Sequence, residues 1–170
     1  MKDVATQPVS RPRVLARAAV RGAVGGLVGA GGMAVGQAVE RRLTGRPASF
    51  VAGRTLLTLL GRHPGDDERP VVATVAMNVV TGAAVGALRG VWRSTGLIAV
   101  RADVVQTLTR VIVDQTLENA TGTGAPPRTW RTGEGVVEVL HAAVAAVVSG
   151  AVVERLVQPD LESRRGTTSH

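Results

Sequence analysis

The sequence predicts an all-α fold: a small membrane bundle of three to four hydrophobic helices with close Gly/Ala-mediated packing. Three observations carry that prediction. First, charged residues make up 19% of the chain, below the ~25% usual for a soluble domain. Second, Phe50, Trp92 and Trp130 are the whole aromatic set, while 21 glycines accompany an Ala, Val and Leu background. A water-soluble core of this size draws much of its buried area from aromatic side chains. Third, long stretches are free of charge and bounded by arginine.

In chain order, residues 1–13 are polar, contain Pro8 and Pro12, and are expected to be a disordered N-terminus. A single helical membrane domain over residues 14–157 is then expected. It opens with 18 consecutive uncharged residues at 22–39, between Arg17 and Arg21 on one side and Glu40-Arg41-Arg42 on the other. That is about the minimum length for a spanning helix. A signal peptide fits poorly, since the apolar run starts late and ends in charges. Residues 43–69 are a polar connector with an amphipathic piece at 50–60, too short to span and suited to the membrane surface. Residues 70–88 give 19 positions without a charge, starting at Pro70 and ending at Arg89, Trp92 and Arg93.

Residues 97–118 are amphipathic. Leu97, Val104 and Val111 recur every seven, as do Ile98, Val105 and Ile112, with Leu108 between them. Asp103, Arg110 and Asp114 lie on the other side, with Arg101 near the apolar edge. This helix either packs with its charges toward water, which its polar face favours, or crosses the bilayer with them inward. A Gly/Pro/Thr-rich loop follows at 121–133, then a hydrophobic segment at 135–156 with 15 uncharged residues at 139–153. Residues 158–170 are expected to be a disordered polar tail.

The glycines favour a bilayer over water. Seven fall between Gly22 and Gly36, and in a water-exposed helix each costs roughly 1 kcal/mol against alanine. In hydrocarbon the helix is enforced by its own backbone hydrogen bonds, and glycine lets two backbones touch. Ala18, Gly22, Gly26, Ala30, Ala34 and Ala38 make a small-residue ridge at four-residue steps, and Thr74, Asn78, Gly82, Gly86 and Gly90 make a second. Ala142, Ala146 and Gly150 make a third, bracketed by Glu138 and Glu154. Residues 22–39 and 70–88 are expected to pack as a close hairpin.

Several chemistries are excluded or disfavoured. There is no cysteine, hence no disulfide, Cys-ligated zinc or thiol catalysis. The net charge of +7 is nearly all arginine, without a basic cluster or aromatics for base stacking, so no nucleic-acid partner is expected. Gly29 to Ala34 matches a relaxed dinucleotide fingerprint but lacks the preceding strand and the acid about 20 positions on. No cofactor is expected. Glu138 and His141 have the Glu-x-x-His spacing of helical di-metal sites, with only Asp114 and Glu118 as supplements. Asn78 and Gln37 suit interhelical hydrogen bonds. The candidate polar site is therefore Asn78, Arg101, Asp103, Arg110, Asp114, Glu138 and His141.

The stretches 117–122, 124–130 and 139–141, with the Gly-rich opening span that runs into Glu40-Arg41-Arg42-Leu43-Thr44-Gly45-Arg46-Pro47, resemble uncharacterised actinobacterial multi-pass membrane proteins. The resemblance implies a bacterial inner-membrane protein and brings no activity or site residue. With four crossings and the N-terminus inside, ten Lys/Arg would lie inside and eight outside, a split that barely sets an orientation. The functional expectation is a non-enzymatic membrane component that associates through its helices with itself or with a membrane protein partner. The alternatives are a small transporter or channel subunit, or a membrane-embedded metalloenzyme using Glu138 and His141.

Overall fold

The computed structural model describes residues 10–125, 127–129 and 133–161. Most of the expected tails, and Trp130, lie outside the described residues. Among these residues five α-helices follow in order: α1 (Arg11–Thr44), α2 (Val51–Leu59), α3 (Val71–Ser94), α4 (Ala99–Thr121) and α5 (Glu134–Leu156), with a 3-10 turn at Pro127–Thr129. No strand occurs among the described residues. The fold is all-helical, and α1, α3 and α5 are long and apolar enough to cross a membrane.

The first helix is longer than the uncharged run that announced it. It starts at Arg11, with a proline in its first turn, and continues through Glu40-Arg41-Arg42. Its 34 residues amount to about 50 Å at 1.5 Å per residue, so both ends extend past a ~30 Å hydrocarbon layer. Gly45 ends it in the left-handed conformation (φ 71°), with its N–H on the Arg41 carbonyl, a stop that a side chain bearing Cβ adopts only with strain. Gly122 ends α4 the same way.

Helix α1 is the centre of the packing, with one glycine face for each of two neighbours. Toward α3, Ala18 lies against Gly90, Gly22 against Gly86 and Gly90, and Gly26 against Gly82 and Gly86. The residue numbers run oppositely, so the two helices are antiparallel. Toward α5, Gly25 meets Val153, Gly29 meets Ala145 and Ser149, and Gly32 meets Val148, again antiparallel. Helix α4 closes the other side, packed on α5 and α3. Helix α2 sits on α3 and α4, where Gly53 abuts Thr74 and the Thr55 and Thr123 hydroxyls lie 2.6 Å apart.

The burial pattern is inverted relative to a water-soluble bundle. Among the described residues the buried apolar ones are mainly alanines, with Met77, Val85, Val153 and Val157, and contain no Leu, Ile or Phe. Among the described residues the largest fully buried side chain is Arg89. Val24, Leu27, Val28 and Val35 of α1, Val72, Val75 and Val79 of α3, and Val136, Leu140 and Val147 of α5 all point outward. Water would penalise that surface by roughly 25 cal/mol per Å² of apolar area; hydrocarbon would not.

Candidate functional site

The α1–α3 seam is close for only part of its length. Ala18 to Ala30 face α3, but Ala34 is exposed. On α3, Thr74 faces α2 and Asn78 reaches α4 instead of α1. Beyond Ala30 the helices therefore separate, and a cavity of about 150 Å³ opens among the C-terminal half of α1, the start of α2 and α3, the end of α4 and the start of α5. Its walls carry Gln37, Glu40, Arg41 and Arg46 together with Asn78, Arg110, Asp114, Glu118, Glu138 and His141.

Helix α4 supplies the core of this site because its polar side faces the bundle. Gln106 and Arg110 are each only 5% exposed, whereas Val104, Leu108 and Ile112 are more than half exposed. The expectation that its charges face water is reversed: the apolar stripe is the outer surface. The physical reason lies in α3 and α5, which offer small or polar residues to α4, namely Asn78, Gly82, Ala142, Ala145 and Gly150. A row of valines and leucines finds no partner there, and an arginine does.

Arg110 is held from two sides. Its Nε donates to Asp114 Oδ2 one turn along α4, and its Nη2 donates to Asn78 Oδ1 on α3 at 2.9 Å. A guanidinium with planar, fixed donors suits such a two-point clamp. Glu118 accepts from Gln115 Nε2 at 3.3 Å. Glu138 stands one helix away and, among the described residues, has no hydrogen bond or ion pair of its own.

A second polar cluster lies deeper, toward the N-terminus of α1. Arg89, 1% exposed, places Nη1 2.8 Å from Asp103 Oδ1 and 3.2 Å from Gln106 Oε1. Its Nη2 is 3.8 Å from Glu154 Oε1, an ion-pair separation without a hydrogen bond. Gly150 makes room for it, since a Cβ there would lie 2.5 Å from Arg89 Nη2 and 2.8 Å from Asp103 Oδ1. Glu154 also accepts the Ala99 N–H at 2.9 Å, at a residue with positive φ (51°). Between the two clusters, Gln106 and Arg110 share a void of about 10 Å³, the space of one water molecule.

The candidate residues thus divide. Asn78, Arg110, Asp114, Glu138 and His141 line one cavity. Asp103 belongs to the Arg89 cluster. Arg101 is exposed and joins neither. Among the described residues no group of three or more His, Asp or Glu side chains is placed to share a metal ion, so Glu138 and His141 lack the further ligands that a helical di-metal site requires. Gln37 lines the cavity, whereas Asn78 makes an interhelical bond. Gly22, Gly26, Ala30, Gly82, Gly86 and Gly90 lie on the α1–α3 seam within one chain.

Arg89, Gln106 and Glu154 were absent from the sequence-derived set. Arg89 ends an uncharged run, the place of a bilayer-edge residue. The signal that reveals it is a four-residue row, Met77, Thr81, Val85 and Arg89, all buried on one side of α3. No family model, curated protein or solved structure matches the chain.

Proposed function

We propose that this is a bacterial plasma-membrane protein that holds a small polar solute in the charged cavity between its helices, as a transporter or channel subunit does. Helix α4 is then a fourth crossing. Its 23 residues reach about 35 Å, enough for the hydrocarbon layer. The observation that carries the reading is the orientation of this helix, with Arg110 and Gln106 inward and Val104, Leu108 and Ile112 outward. Charged groups inside a bilayer are costly, and they mark solute and ion pathways.

The two polar clusters then have different roles. The outer one lies at the C-terminal end of α1, with Glu40, Arg41 and Arg46 in its wall, and there it opens to water. The Arg89–Asp103 pair closes the path at the other end. Association through the small-residue ridges, the other functional reading, has less to work with. Gly22 and Gly26 already face α3, and Gly25 and Gly29 already face α5, so these surfaces are not free for a second chain.

The chain lacks cysteine, so single-cysteine variants in sealed vesicles test the reading directly. Glu138→Cys is expected to react with a membrane-impermeant thiol reagent from one side only. Leu108→Cys is expected to stay unreactive from both. Full labelling of Cys at position 108 would show that the outer face of α4 meets water, and the reading would fall.

A further inference from the structure

The chemistry of the solute follows from the charges left unmatched in the cavity, given that the cavity is a solute site. Arg110 is nearly buried and uses two of its three nitrogens: Nε on Asp114 and Nη2 on Asn78. Its Nη1 takes no hydrogen bond, and the residue lines the cavity wall. A guanidinium fixed by two partners with one nitrogen unused is a preorganised donor for an anionic group.

The opposite charge is also available. Among the described residues the Glu138 side chain has no hydrogen-bond or ion-pair partner, and that of Glu118 has only the Gln115 amide. Carboxylates in a membrane-embedded wall are expensive without a cation. Arg110 and, for Glu138, Arg46 lie within electrostatic range of them, but Arg110 directs its Nε and Nη2 to Asp114 and Asn78 and gives neither carboxylate a hydrogen bond. Among the described residues no Phe, Tyr or Trp lines the cavity, so they offer no aromatic cage for a quaternary ammonium. A primary ammonium, which donates hydrogen bonds to carboxylates, fits the lining instead.

A simple cation would leave Nη1 of Arg110 without an acceptor. A simple anion would add a like charge beside Glu118 and Glu138. We infer that the cavity binds a small zwitterion, an amino-acid-like molecule whose anionic group sits on Arg110 and whose primary ammonium sits on Glu138 and Glu118. The volume of about 150 Å³ matches a molecule of roughly six heavy atoms, since an enclosed cavity of that size takes up benzene.

The inference rests on the solute-site reading, and the experiment separates the two. Purified full-length protein in lipid nanodiscs is titrated calorimetrically with glycine, β-alanine and γ-aminobutyrate, whose charges are increasingly far apart. Propionate and propylamine serve as the single-charge fragments. At least one zwitterion is expected to bind more than about tenfold tighter than either fragment, because both charge-assisted contacts form only with it. Glu138→Gln is expected to remove that margin with an unchanged far-UV circular dichroism spectrum, and Glu118→Gln to reduce it. Propylamine binding as tightly as the best zwitterion would overturn the inference in favour of a cation site and leave the cavity reading intact. Absence of binding by all five probes, with Cys at position 138 still reactive to the impermeant reagent, would overturn the inference without favouring a cation site and leave the cavity reading intact. An unreactive Cys at position 138 would overturn the cavity reading itself.

Discussion

Replacing Gly26 by alanine adds one methyl group at the closest part of the α1–α3 seam. That Cβ would lie 2.8 Å from Gly86 Cα and nearer still to the Gly82 carbonyl oxygen. Both neighbours are backbone, so no side chain can rotate away. Carbon atoms in favourable contact sit about 3.5–4.0 Å apart, so the helices must separate locally by roughly 1 Å. A gap of that size forfeits a quarter to a half of each contact's dispersion energy, and overpacked sites typically cost about 1–3 kcal/mol. Gly31 provides the internal control. It lies on the same helix, five positions on, and a Cβ there meets nothing within 4 Å. Gly31→Ala therefore retains only the propensity gain, up to ~1 kcal/mol. The two substitutions are chemically identical and have opposite predicted signs. Unfolding by sodium dodecyl sulfate in mixed micelles, followed by far-UV circular dichroism, measures both. Equal stability of Gly26→Ala and Gly31→Ala would refute the seam, and with it the argument that glycine is used here for close approach.

Three other predictions address the polar interior and the short helix. Asp103→Asn removes the near partner of the almost fully buried Arg89 and is expected to cost about 3 kcal/mol. Glu154→Gln, whose side chain is 41% exposed and 3.8 Å away, is expected to cost under about 1 kcal/mol; the same detergent titration ranks them, and the reverse order would contradict the assignment of Asp103 as the main counter-ion. Gly150→Ala forces a methyl group against Arg89 and Asp103, and should make a cysteine at position 106 reactive toward an impermeant thiol reagent from the α1 N-terminal side, where it is protected in the parent. Thr55→Val removes a fully buried hydroxyl bonded to Val51 O and paired with Thr123, a loss of about 1 kcal/mol; faster amide hydrogen exchange across residues 51–60, with α1 unchanged, is the expected readout.

The sequence made the solvent legible more readily than the interior. Glycine spacing on α1 reads directly as close approach, because only backbone-to-backbone contact rewards so many missing side chains. It also understates the case. The four-residue ridge from Ala18 to Ala30 accounts for the α3 face, whereas the offset row Gly25, Gly29 and Gly32 serves α5 and looks, in sequence, like mere abundance of glycine. Periodicity likewise places the charges of α4 on one side, but carries no sign: an amphipathic helix has the same pattern whether its polar stripe faces water or a polar core. The sign is set by what the neighbouring helices present. Here α3 and α5 show α4 Asn78, Gly82, Ala142 and Gly150, small and polar surfaces that leave room for arginine.

That dependence on partners links the two halves of the molecule. The glycine seam brings α1 against α3 only as far as Ala30, while Gly32 still meets Val148 of α5. Past that point Met33 and Gln37 replace the glycine contacts and line the cavity instead. Close packing in one half thus creates the separation in the other, since two straight helices held in backbone contact at a crossing must diverge away from it. The polar residues occupy the volume that this divergence opens. A change that loosens the seam is therefore expected to alter the cavity before it unfolds the bundle. In Gly26→Ala, labelling of Cys at position 138 should change at detergent concentrations where α-helix content is still that of the parent. Loss of both together would mean that seam and cavity form a single cooperative unit and that the crossing does not set the cavity's width.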